Sequence, residues 1–231
     1  MIAQLPLALR YPPDQRFDTF VAAPAGAVAQ LQTLSAEGGD AIYLVGAAAT
    51  GKTHLAIAAC ALAEAHSRTA AYLPLASAAG RVRAALEALH DRDLIALDGI
   101  EAIAGGRDDE IALFDFHNRA RDAGKALVYA ARAAPTALPF TLPDLRSRLS
   151  QCIRIAVAPL DEAGRRTVLQ LRAARRGLQL DAAAIDWLLK RVDRDLASLT
   201  ALLDRLDRAS LAAQRRITVP FLRQVLGGET V

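Results

Sequence analysis

The chain has 231 residues, a net charge of +3 and a 53% hydrophobic share, enough for one larger domain plus a small one. Basic residues are scattered among acids with no basic stripe carrying aromatics, so sequence-specific DNA binding is not expected. The most apolar helical run, 55–63, is too short to span a bilayer, Met1-Ile-Ala-Gln-Leu-Pro lacks the charged start of a secretory signal, and Cys60 and Cys152 read as reduced core thiols, which fits a cytoplasmic protein.

In chain order, Ile2–Leu9 alternates apolar residues, and Pro6, Pro12 and Pro13 prevent a helix. A helix is predicted over 26–36. Strands at 40–46, 70–74, 93–98, 126–131 and 152–157 then alternate with helices at 52–66, 78–90, 108–123 and 142–149, and 104–109 reads as a loop. Crossovers of this length predict an α/β fold, a parallel sheet flanked by helices on both faces. No strand is predicted after Pro159. Asp161 caps a helix to about 175, Asp181 another to about 191, a longer one covers 195–213, and Thr218 with Pro220 opens the last. The expected organisation is an extended peptide at 1–12, a core at 13–159 and a helical lid at 160–231.

Between the first strand and the helix after it stands Gly46-Ala-Ala-Ala-Thr-Gly-Lys-Thr53, a phosphate-binding P-loop. Gly46 and Gly51 let the backbone turn so that successive N–H groups converge on phosphate oxygens. Lys52 supplies a point charge for the terminal phosphates, Thr53 offers a hydroxyl to Mg²⁺, and the helix aims its positive end at the same anion. Lysine occurs only at 52, 125 and 190 in a chain that otherwise uses arginine, so its presence here reads as chosen by the site; the plainer reading is an Ala/Gly-rich strand-to-helix turn with an incidental lysine. The expected cofactor is ADP or ATP with Mg²⁺.

Asp98 ends the apolar strand Asp93-Leu-Ile-Ala-Leu-Asp98 and reads as the magnesium-side carboxylate, acting through water near Thr53; the plainer reading is a turn or N-cap aspartate. Gly99 follows where a water-polarising acid would be expected, and Glu101 is the remaining candidate. The strand Ala126-Leu-Val-Tyr-Ala-Ala131 ends without a polar residue for the γ-phosphate. The site therefore reads as better equipped to bind nucleotide than to cleave it.

A P-loop core with a C-terminal helical lid is the plan of AAA+ proteins, and further segments resemble the DnaA family. Arg16-Phe-Asp-Thr-Phe20 resembles the segment before the DnaA core, and Asp98-Gly-Ile-Glu101 sits where that family has its second acidic motif. Leu142-Pro-Asp-Leu-Arg-Ser-Arg-Leu149 resembles the motif ending in an arginine finger, here Arg148, and Arg194 in Asp193-Arg-Asp-Leu196 matches the lid arginine that senses nucleotide. Gln4-Leu-Pro-Leu-Ala-Leu9 looks like the sliding-clamp motif of the Hda branch, and Leu188-Leu-Lys-Arg191 and Leu206-Asp-Arg-Ala-Ser210 resemble its lid. Arg132 departs from the family, which tends to have an acid there, so γ-phosphate sensing by that strand is in doubt.

The resemblance implies a regulator that binds the clamp through Gln4, Leu5, Leu7 and Leu9 and stimulates hydrolysis of DnaA-bound ATP through Arg148 acting in trans. It implies weak intrinsic hydrolysis, no membrane partner and room for a homo-oligomer. Plainer readings stand beside each assignment: residues 4–9 as an edge strand, Arg148 as a surface arginine, and Arg194 as a lid ion pair with Asp193 or Asp195. The alternative function is a DnaA- or DnaC-like ATPase that loads a partner onto DNA, and a third is an adaptor that merely keeps the nucleotide fold.

Overall fold

The computed structural model describes residues 15–21, 23–191, 203, 205–206 and 217–226. Two compact units divide the chain: one holds the described residues up to Gly46 together with Lys52–Val157, the other holds Ala47–Gly51 and the described residues from Ala158 onward.

Five strands form one sheet in the first unit: β1 (Ala41–Val45), β2 (Ala70–Pro74), β3 (Leu94–Asp98), β4 (Ala126–Ala131) and β5 (Ile153–Ala156). Their order is β2-β3-β4-β1-β5, and every pairing is parallel. The sequence accounts for this. The central strands are near-continuous apolar runs, because both faces are covered. Tyr43, Ile95, Leu97, Leu127 and Tyr129 point to one face, under α3 (Val82–Glu87), α4 (Arg107–Asp122) and α5 (Pro143–Ser150). Ile42, Leu44, Leu94, Ala96 and Val128 point to the other, under α1 (Ala27–Glu37) and α2 (Lys52–Ala65). This is the period-2 alternation of a strand.

The second unit has its own core. Leu169 and Ala173 of α6 (Glu162–Arg175), Ala184, Ile185 and Leu188 of α7 (Ala182–Arg191), Leu203, Leu206, and Phe221 and Leu222 of α8 (Val219–Leu226) pack together. Asp161 caps α6 by accepting from the Gly164 N–H at 2.7 Å, and Asp181 accepts from Ala184 N–H at 2.6 Å. Most of the long helix expected over 195–213 lies outside the described residues.

Three expectations need correction. The helix expected over 78–90 is only Val82–Glu87, because Gly80 stands at φ +78° and Asp109 holds the entry to α3, accepting from Gly80 N–H at 2.6 Å and Val82 N–H at 3.2 Å. Accordingly, Arg107–Asp109 is not loop but the first turn of α4, where acids face the positive helix end. The lid also contains a parallel β-bridge, Leu180 to Ile217, where no extended pairing was expected.

Candidate functional site

The ends of β1, β3 and β4 meet at one edge of the sheet, because parallel strands place all their C-termini on the same side. Gly46 N–H donates to Ala131 O at 3.2 Å, and Gly99 N–H to Ala130 O at 2.9 Å. The turn from β1 into α2 uses a left-handed Ala49 (φ +58°) and Gly51 at φ +98°, a value that only glycine adopts without strain. The Thr50 hydroxyl closes this turn on Ala47 O at 3.1 Å.

Lys52 opens α2 and is 8% exposed. Its ammonium donates to Gly46 O at 2.7 Å. Burial lowers its pKa; the charges of Asp98 and Glu101 push the other way, and Arg132 adds to the lowering. Thr53 follows, and its hydroxyl donates to Asp98 Oδ2 at 2.6 Å. Tyr72 from β2 donates to the same oxygen at 2.8 Å. Burial, then the Asp98 carboxylate, raise the tyrosine pKa, so Tyr72 remains a donor. A hydroxyl and a carboxylate oxygen side by side are hard oxygen ligands suited to Mg²⁺. Among the described residues no three His, Cys, Asp or Glu side chains cluster as a metal cage.

Glu101 is occupied. One oxygen meets Arg132 Nε at 3.1 Å and the other accepts from Arg132 N–H at 3.2 Å. The departure at 132 thus ties up the remaining acid after β3. His54, beside Thr53, fixes the segment before the core: its Nε2 lies 2.8 Å from Arg16 O and 3.2 Å from Thr19 Oγ1, and Phe20 meets its ring edge-on at 5.2 Å.

Of the sequence candidates, Gly46, Lys52, Thr53 and Asp98 are brought to one edge. Arg148 stands elsewhere, exposed on α5, and its guanidinium makes no hydrogen bond or ion pair among the described residues. Gln4, Leu5, Leu7, Leu9 and Arg194 lie outside the described residues. Tyr72 was missed in the sequence, since only the pairing of β2 with β3 brings it to Asp98. The opposite charges just past β3 and β4 were the available hint of the Glu101–Arg132 pair. Trp187 is partly buried against the lid core, with Arg191 over its ring at 4.4 Å. No helix among the described residues is long and apolar enough to cross a membrane.

Comparison with known proteins agrees with this architecture. Residues 161–226 match the family model "Hda, lid domain". Domain III of the replication initiation protein DnaA from Thermotoga maritima superposes with TM-score 0.80 at 20% identity, over 97% of this chain and 98% of that one. AMPPCP-bound DnaA from Aquifex aeolicus gives TM-score 0.70 at 21% identity, covering 87% and 67%. The RuvB Holliday junction branch migration motor of Thermotoga maritima gives 0.67 at 16%, covering 94% and 72%. Residues 161–226 are thus an Hda-type lid by their family match, and they follow a core with the fold of DnaA domain III.

Proposed function

We propose that this chain is an Hda-type regulator of replication initiation: it binds ADP or ATP with Mg²⁺, attaches to the DNA-loaded sliding clamp, and stimulates hydrolysis of DnaA-bound ATP. The observation that carries this reading is the Hda lid following a P-loop core of DnaA type. The solved DnaA bound to AMPPCP supports nucleotide as the ligand. Lys52 and the α2 N-terminus would hold the phosphates, and Thr53 and Asp98 the metal side. When bound, Mg²⁺ supplies charge neutralisation on phosphate oxygens.

The chain's own residues favour retention of nucleotide over turnover. Gly99 carries no carboxylate, and Glu101 gives both oxygens to Arg132. Losing a water-orienting group removes about two to four orders of magnitude of rate. The phosphoryl chemistry belongs to the partner, with Arg148 offered in trans against the charge that develops on DnaA-bound ATP. Arginine suits that role because it stays charged and bridges two oxygens with its planar fork. Gln4, Leu5, Leu7 and Leu9 would seat in the clamp as an extended peptide whose alternate leucines share one side. This reading places the protein in the cytoplasm.

The test is the decay of DnaA-bound ATP with and without this protein and loaded clamp. Stimulation that needs both is expected. A chain that leaves DnaA unaffected but binds a helicase would be a loader instead, and one that does neither would be an adaptor.

A further inference from the structure

Glu110 in the first turn of α4 has 0% exposure, an unusual place for an acid. Every donor around it is neutral. Gly105 N–H donates to Oε1 at 2.7 Å. Thr141 N–H reaches Oε1 at 3.1 Å and Oε2 at 2.9 Å, and its hydroxyl reaches Oε2 at 2.9 Å. Leu142 N–H donates to Oε2 at 2.7 Å. Burial pushes the carboxyl pKa up, but these donors outweigh it and hold Glu110 below the ordinary range, so the group is an anion.

Thr141 and Leu142 are the last residues before α5. Leu142 takes the N-cap position and has no side-chain oxygen to offer, so α5 lacks a cap of its own. Glu110, from another helix, instead takes the N–H of the N-cap residue and of the residue before it. Leu145 and Leu149, at 0% and 1% exposure, seat one stripe of α5 in the core, which sets its face. An apolar stripe resists sliding along the axis less than a hydrogen-bonded end does, because dispersion contacts are non-directional and hydrogen bonds are directional. The carboxylate therefore sets where along its axis α5 stops, and Arg148 projects from its last turn.

We propose that Glu110 is the positioning residue for Arg148, fixing the reach of that guanidinium toward a partner's nucleotide by pinning the start of α5 to α4. This rests on the reading of Arg148 as the residue that acts on DnaA-bound ATP. A carboxylate is needed because a glutamine presents only one acceptor oxygen and turns two donors toward N–H groups.

The experiment is a double-mutant cycle on DnaA-bound ATP decay with loaded clamp, using Glu110→Gln, Thr141→Val and Arg148→Lys, which keeps the charge and loses the fork. Glu110→Gln should lower the maximal stimulated rate about tenfold or more, the scale on which a small misplacement of a catalytic group is felt. It should leave the concentration for half-maximal stimulation and the calorimetric affinity for ADP within about twofold of wild type. Thr141→Val removes only the hydroxyl donor and should lose less, deciding the matter should Glu110→Gln not fold. In the Arg148→Lys background neither change should cost more than about twofold, since each acts through the arginine. A purely structural role would cost the same factor in both backgrounds, and that outcome overturns the proposal, as do undiminished rates in the wild-type background. If Arg148→Lys and Arg148→Ala both stimulate like wild type, it is the trans reading of Arg148 that fails.

Discussion

At the scale of single residues, burial decides what each charged group can do. Lys52 is almost fully enclosed, with its ammonium on Gly46 O at 2.7 Å. Lys52→Ala should weaken ADP binding by about 2 kcal/mol, roughly thirtyfold, as expected for a lost buried charge-assisted contact. Calorimetry checks this, and unchanged affinity in a folded variant would refute the P-loop role. His117 of α4 is a second case. Its Nδ1 lies 2.8 Å from the Tyr129 hydroxyl, and burial, then the charges of Arg121 and Arg148, lower its pKa to about 4. The unfolded histidine titrates near 6.5, so between those values the unfolded chain takes up a proton that the folded chain refuses. The stability from neutral His117 is thus complete above about 6.5 and lost as pH falls toward 4, by up to about 3 kcal/mol. Urea unfolding at pH 7 and pH 4.5 should show wild type losing more than His117→Gln. Parallel losses would remove His117 from the account.

At the scale of elements, α5 carries the next prediction. Arg146 and Arg148 sit two residues apart on it, Arg146 half-buried and Arg148 exposed. Arg148→Ala should keep nucleotide and clamp binding and lose stimulation of DnaA, by about three orders of magnitude or more for an arginine acting in trans. Arg146→Ala should be milder. Single-turnover decay of DnaA-bound ATP separates the two, and a dead Arg146→Ala beside an active Arg148→Ala would reassign the role. The elements themselves were largely legible. Short apolar runs between long helical stretches read as strands of a parallel sheet, and all five lie within a residue of expectation at either end, although β5 carries Arg154 and is mostly exposed. The juxtaposition of Thr53 with Asp98 was legible for the same reason, since strand ends gather on one edge. What escaped the sequence depended on strand order or on distant contacts. Tyr72 reaches Asp98 only through β2–β3 pairing, Glu110 reads as an ordinary polar position on α4, and Asp109 shortens α3 from another helix. Local pattern carries no information on such partners.

At the scale of the whole molecule, the proposed activities should separate. Changing both Gln4→Ala and Leu5→Ala should abolish clamp binding, since anchors of this kind concentrate the energy of a short peptide. Affinity for ADP should stay within about twofold, because the two sites share no residues. Surface plasmon resonance on immobilised clamp gives the answer, and equal binding by the double variant would return residues 4–9 to an edge strand. The two thiols extend this separation to motion. Cys60 is 0% exposed in α2, against Ala71 O, whereas Cys152 follows α5, its sulfur 3.6 Å from Arg148 O and its thiol pushed up by burial to about 12. Cys60 is shielded by burial, and burial keeps Cys152 in the less reactive thiol form, since the thiolate is the nucleophile. Alkylation at Cys60 therefore reports opening of the α2 face of the core, and alkylation at the half-buried Cys152 reports the junction between α5 and β5. One chain thus carries two timers, and the gap between them reads how firmly the Arg148 helix is held when a partner arrives.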